Sequence, residues 1–209
     1  MHSAYHCLLL LGSLMAVGCV KPGSEDPARP SAEATAVVDF WRTAGQSRWF
    51  AKDDEFDRRF RERFMALHEA AARGDLDAWQ DSATGTLGLL ILLDQFPRNS
   101  FRGTKRMYAT DERARTVADR AIRAGHDLAI ETPLRLFMYL PFGHSEDLAD
   151  QERSVELARR NLTPVELIHA EHHRDIIRRF GRFPHRNVIL GRVSRPDEVR
   201  YLAEGGFAG

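Results

Sequence analysis

Between Asp53 and Gly74, the apolar side chains Phe56, Phe60, Phe64, Leu67 and Ala71 recur at steps of three and four, with charged residues between them. That period lines one face of a helix, so the spacing predicts an amphipathic helix closed by Gly74. The stretch Thr86 to Phe96, TLGLLILLDQF, is apolar nearly all round. It predicts a helix buried on several sides and stopped by Pro97, which lacks the N–H that a helix interior uses. Thr110 and Asp111 open another helix, with Ala114, Val117, Ala118, Ala121 and Ile122 inward and Gly125 at its end. Leu134 to Phe142, LRLFMYLPF, predicts a second strongly apolar helix, cut at Pro141. Ser145 is placed to cap the next, which runs to about Arg160 with Glu146 and Asp147 in its first turn. In Thr163-Pro164-Val165-Glu166, Thr caps, Pro takes the first turn and Glu reaches back, which starts a helix to Phe180. Ser194-Arg195-Pro196-Asp197 opens a short last helix.

No hairpin dipeptide sits between alternating runs, so strand signals are poor. The expectation is an all-α, single compact domain of about seven to eight packed helices, joined by short connections that make sequential helices antiparallel neighbours. A chain of 209 residues, 43% hydrophobic, buries one core without requiring a second domain. Lys+Arg and Asp+Glu are both 30, so the formal net charge is zero. A non-specific nucleic-acid binder needs a basic excess, so nucleic acid is not an expected partner, although a local basic pocket is compatible with the balance.

The two cysteines, Cys7 and Cys19, both fall in the first 19 residues. The folded part therefore has no disulfide, thiolate metal site or cysteine nucleophile. Residues 7–20, CLLLLGSLMAVGCV, are apolar and uncharged. The run is shorter than the ~20 residues of a spanning helix and matches a signal-peptide core. Ala16-Val17-Gly18-Cys19 resembles a bacterial lipoprotein cleavage box. The expectation is a signal peptide over 1–18, lipid at Cys19, a flexible tether over 19–36 and a helical domain over 37–209. This would place the protein in the cell envelope, touching the membrane only through a lipid anchor. The leading MHSAYH lacks the Lys or Arg that signal peptides carry; the alternative is a mis-called start, with a cytoplasmic protein beginning near Ala34.

Candidate chemistry sits beside the most apolar helices. FGRFPHRN at Phe180–Asn187 echoes DQFPRN at Asp94–Asn99. In both, Phe-Pro ends a helical run and an Arg follows, so Arg98 and Arg186 either bond helix-end carbonyls or converge as two guanidinium forks around an anion. Asp94, Asn99, Arg182, His185 and Asn187 flank these corners. In PFGHSED, His144 precedes Glu146 and Asp147, an arrangement that predicts a raised histidine pKa and acid–base competence, with Glu146 as partner and Gln151 one turn on. His144 with Glu146 is also a possible divalent-metal pair. The run HAEHH places His169, His172 and His173 near one face, but it is not HExxH, and no metal site is assigned. No phosphate loop, nucleophile elbow or kinase motif is present, and nothing names a cofactor.

The chain resembles the bacterial family numbered 924 among the domains of unknown function. The resemblance rests on DFW at Asp39–Trp41, WFAKD at Trp49–Asp53, LDQFPRN at Leu93–Asn99 with FRGT after it, PFGHSEDLADQERSV from Pro141, and HRDIIRRFGRFPHRNVILGR at His173–Arg192. It implies a tetratricopeptide-like helical fold, and it implies that Asp94, Arg98, Asn99, His144, Glu146, Gln151, His173, Arg182, His185, Arg186 and Asn187 are family features. This chain departs from the family in its signal-like extension, in TAGQSR after residue 42 where an aromatic-Gly turn is more typical, and at Gly143, where a larger residue is expected and a looser turn follows. Three functions fit. A helical protein takes a small anionic or polar ligand in one pocket lined by Arg98, His144, Glu146 and Arg186. An enzyme of the hydrolase or proton-transfer type uses the same pocket, with His144 and Glu146 catalytic. A helical scaffold grips a peptide in a groove, its polar strings purely structural.

Overall fold

A computed structural model describes residues 30–209. The expected signal peptide, Cys7, Cys19 and most of the tether lie outside the described residues. Helix α1 spans Ala32–Ala44, and Ser31 Oγ accepts from Ala34 N at 3.0 Å. The expected boundary at residue 36 therefore moves back: Ala34 is fully buried, because its methyl group falls on the inward face with Val37, Val38 and Trp41. A short turn, α2, at Gln46–Trp49 leads to α3, Asp54–Arg73. Helix α4, Ala83–Leu90, passes through a π-helical stretch, Ile91–Gln95, into α5, Phe96–Ser100. Then follow α6 (Asp111–Arg123), α7 (Thr132–Gly143), α8 (Leu148–Asn161), α9 (Pro164–Phe180), α10 (Arg186–Leu190) and α11 (Pro196–Ala203). The described residues form no strand, and none of their helices is long and apolar enough to cross a membrane.

The α4–π–α5 rod is the centre of the fold. Its residues from Gly85 to Pro97 are all buried, and it packs on α1, α3, α6 and α7. Gly85 lets the chain pass itself here: a Cβ on it would lie 2.2 Å from the Trp79 carbonyl oxygen. The aromatic face of α3 (Phe56, Phe60, Phe64) packs with Trp41, Phe96 and Phe137 in this main core. From α6 to α9, each helix packs on the next in chain order. A second apolar cluster, Ile176, Ile177, Phe180 and Phe183, gathers Tyr201 and Phe207 around the end of α9.

Pro97 does not stop its helix. A proline ring clashes with the carbonyl four residues back, here that of Leu93. The π stretch resolves the clash: Phe96 N bonds Ile91 O, the wider turn frees the Leu92 and Leu93 carbonyls, and α5 continues beyond. His68 Nδ1 donates to Leu92 O at 2.9 Å, and the Thr110 hydroxyl donates to Leu93 O. Both acceptors are held within the core, so Thr110→Val is expected to cost about 1–3 kcal/mol, measured by urea unfolding, because it leaves Leu93 O buried and unpaired.

Pro141 likewise lies inside α7, which runs two residues further. Ser145 does not cap α8 directly. Asp147 is the cap, accepting from Ala149 N at 2.7 Å, while Ser145 Oγ accepts from Asp147 N at 3.2 Å. Glu146 and Asp147 therefore precede the first turn of α8 rather than filling it. Nor is the turn at Gly143 loose: the residue is buried, and a Cβ would stand 3.2 Å from Ser154 Oγ and 3.9 Å from His173 Nδ1. Its small size lets α8 and α9 close on the end of α7.

Candidate functional site

The polar centre lies at the seam between the two apolar clusters, where the central rod, the end of α7 and the α9–α10 turn meet. The π stretch puts Asp94 at this seam, 1% exposed. Its carboxylate accepts from His144 Nδ1 at 2.8 Å and also takes the Gln95 side-chain amide. Arg98, one turn on, reaches back to Asp94 Oδ1 at 3.1 Å and to the Asp94 carbonyl at 2.7 Å. The rest of its fork is bidentate on Asp111 at the start of α6, at 2.9 and 3.1 Å. Burial pushes the Asp94 carboxyl up, but Arg98 and then His144 and Gln95 outweigh it, holding the pKa at about 2. His144 moves the opposite way to the sequence expectation. Burial, then the Arg98 charge, depresses it by more than Asp94 restores, so the ring is neutral at pH 7. A neutral imidazole facing a carboxylate carries its proton on Nδ1, which leaves Nε2 as a lone pair with no hydrogen-bond partner among the described residues.

The end of α7 is closed by residues distant in sequence. Gln151 Nε2 donates to the Gly143 and Ser145 carbonyls at 2.8 and 2.7 Å, His173 Nδ1 donates to Gly143 O at 3.2 Å, and Arg186 Nη1 donates to His144 O at 2.9 Å. Helix-end carbonyls need such donors. Arg186 makes this contact from a buried position, 7% exposed, and its Nε has no partner. Among the described residues no carboxylate lies within 4.0 Å of it. Its guanidinium carbon sits 4.4 Å from the Phe183 ring centre and 4.8 Å from that of Tyr108, while Arg98 approaches the same tyrosine at 5.9 Å. Burial, then the neighbouring Arg98, lowers the Arg186 pKa from its ordinary value, and the more distant Asp111 and Glu146 oppose this. His173 and His185 complete the seam against Phe183 and Phe207. Burial foremost pushes them down, to about 3 and about 4, and His185 Nδ1 is buried with no partner.

The two arginines thus converge, but unequally. Arg98 is occupied by two carboxylates; Arg186 has none. Glu146 is not the partner of His144: it grips Arg192 at 2.6 and 3.0 Å and the Phe183 N–H at 2.8 Å, tying the α7–α8 turn to the second Phe-Pro corner. Arg182 and Asn187 turn to the fully buried Glu198, with Arg182 on its oxygens at 2.6 and 2.7 Å and Asn187 at 3.2 Å. Asn99 is separate from the seam and bonds Asp57 Oδ1 at 2.7 Å. The expected single hollow therefore resolves into an Asp94–His144–Arg98–Arg186 centre and a clamp built on Glu146 and Glu198. Among the described residues no three His, Cys, Asp or Glu side chains gather as metal ligands; within HAEHH, His172 and His173 both meet the Phe207 ring, and His173 also reaches Gly143 O.

Tyr108, Asp111, Glu198 and Phe207 also belong to these centres without a sequence signal for it. Asp111 and Glu198 stand where ordinary first-turn acids do, and Tyr108 sits in a short 3₁₀ turn, Lys105–Tyr108, without periodicity. Asp94, expected as a flank of the first Phe-Pro corner, is an acid that interrupts an apolar run, which is the local signal that it is buried and paired.

The chain is similar to a solved structure of a protein of unknown function, ATU0120, from Agrobacterium tumefaciens. The two share 56% sequence identity with a TM-score of 0.81, over 82% of this chain and 97% of that one. Among curated proteins none matches. The family described as bacterial protein of unknown function (DUF924) matches residues 37–206, nearly the whole of the described domain. With that span matched and 56% identity to a solved relative of similar fold over 82% of the chain, the chain belongs to the DUF924 family.

Proposed function

We propose that the protein binds a small anion at Arg186, within the Asp94–His144–Arg98 centre. One observation carries this reading: a buried guanidinium whose Nε has no partner, and beside which no carboxylate stands, among the described residues. Buried charges are normally paired, since leaving one unpaired costs several kcal/mol. The long-range attraction of Asp111 and Glu146 offsets part of that cost, and a bound carboxylate or phosphate would remove most of the rest. The rings of Phe183 and Tyr108 pack beside the guanidinium, 4.4 and 4.8 Å from its carbon.

The reading is tested by thermal unfolding with inorganic phosphate, sulfate and small mono- and dicarboxylates, against chloride. At about 100 times its Kd, a ligand stabilises by ~2.7 kcal/mol, a rise of roughly 5–10 °C for a domain of this size. Arg186→Met is expected to abolish that rise while remaining folded. An equal rise in the variant, or none in the wild type with any of these anions, overturns the proposal.

The Asp94–His144 bond supports a second reading, an enzyme of the hydrolase or proton-transfer type. An ionised Asp94 orients a neutral His144 with Nε2 open, as a general base requires, and Arg186 would meet negative charge developing on the substrate. In a screen of carboxylic and phosphoric esters, His144→Gln should remove turnover yet keep the anion-induced rise. Turnover that survives this change excludes His144 as the base.

A further inference from the structure

We propose a second binding site, away from Arg186, for a small molecule bearing two or more phosphate groups. A cleft of about 830 Å³ opens between the start of α3 and the α5–α6 connection. That volume falls among small-molecule sites, which run from roughly 300 to 1,000 Å³. The chain as a whole is neutral, yet this cleft gathers Lys52, Arg58, Arg61, Arg102, Lys105 and Arg106 against Asp54 and Asp57.

The cations differ in what holds them. Arg58 is spent on Glu55 and Glu62. Arg102 is neutralised by Asp57, which is itself buried and fixed by Asn99 at 2.7 Å. Lys52, Arg61, Lys105 and Arg106 remain, and among the described residues none has a carboxylate within 4.0 Å. Two of these four are held in place without being neutralised. Arg61 Nη1 donates to the Ser100 carbonyl at 3.3 Å, and the Arg106 guanidinium lies 3.8 Å over the Phe101 ring. A guanidinium fixed by a carbonyl or a ring keeps its charge and loses its disorder, so it binds at a lower ordering cost.

Four separate positive charges along one cleft suit an anion that spreads its charge over linked phosphates better than a single carboxylate. An extended nucleic acid suits it less. Asp54 lines the cleft, and Glu55 and Glu62 hold Arg58 beside it; these acids would repel a continuing backbone, and the neutral chain lacks the basic excess for one.

The test is isothermal titration of the full chain with inorganic phosphate, pyrophosphate and tripolyphosphate, at low and at physiological salt. Saturable binding is expected to tighten in that order, with one tripolyphosphate per chain. Arg61 and Arg106 are exposed, so the double variant Arg61→Gln/Arg106→Gln should fold normally, checked by its melting curve. It is expected to bind tripolyphosphate about 100-fold more weakly, while Arg61→Lys/Arg106→Lys, which keeps the charges but not the ordered guanidiniums, falls between it and the wild type, and Arg186→Met retains the full affinity. No saturable heat with tripolyphosphate at low salt overturns the proposal. So does unchanged affinity in the Gln double variant, a loss that follows Arg186→Met instead, or tighter binding of single-stranded RNA than of tripolyphosphate.

Discussion

Replacing Arg98 with Met is expected to remove about 3–5 kcal/mol of folding stability, whereas Arg186→Met changes it by about 1 kcal/mol or less. The two guanidiniums flank one tyrosine, and by residue type the substitutions are identical. What differs is what each leaves behind. Without Arg98, the carboxylates of Asp94 and Asp111 lose their shared cation, and Asp94 is only 1% exposed. Without Arg186, no carboxylate is stranded; the loss is the hydrogen bond to His144 O and the contacts with Phe183 and Tyr108. Urea unfolding of both variants at neutral pH measures the contrast. Because Arg98 is the principal charge depressing His144 after burial itself, the ring should also titrate at higher pH in Arg98→Met, which histidine proton NMR reads directly. Equal losses in the two variants would mean that Arg186 has a neutralising partner and that the anion-site reading is wrong.

Acid is expected to remove several kcal/mol of stability between about pH 7 and pH 4, before most carboxylates titrate. In the unfolded chain a histidine ionises near 6.5. Folded, His173 is pushed to about 3 and His185 to about 4, chiefly by burial, and His144 is lowered as well. Below about pH 6.5 the unfolded chain takes up protons that the folded one refuses, so stability is full above that pH and falls as pH drops toward the folded values. At 1.36 kcal/mol per pKa unit, each of the two most shifted histidines contributes on the order of 3 kcal/mol. Asp94 acts later with the same sign. Its carboxyl is held at about 2, so the stability it confers is present above the ordinary carboxylate range and is lost as pH falls through that value. Urea midpoints at about pH 7, 5.5 and 4 trace the slope. His173→Asn keeps a donor for Gly143 O without an ionisable ring and should flatten it. A stability flat from pH 7 to 5 would mean that these rings are hydrated and not buried at the seam.

The helices were legible because they obey local rules. Phe56, Phe60 and Phe64 fall on one face whatever packs against it, Gly74 closes α3, and Thr163 with Glu166 starts α9. Neither proline ends its helix. The rule that it should assumes that the carbonyl it frees finds no other donor. At Pro97 the Leu93 carbonyl, and that of Leu92 beside it, take Thr110 and His68; beyond Pro141, the last carbonyls of α7 take Gln151, His173 and Arg186.

The site was legible as a list and not as a set of pairs. The sequence by itself determined an all-helical chain, the positions of its long helices and a group of polar residues next to the buried ones, because periodicity, caps and composition act over a few residues. Only the tertiary structure decided that His144 pairs with Asp94 and not with Glu146 two residues away, and that Arg98 is neutralised while Arg186 is not. Those outcomes depend on which side chains meet across 50 and 42 positions of chain, and on how much water remains around them. Distance and burial set the charge state of a group, and neither is a property of its neighbours in sequence.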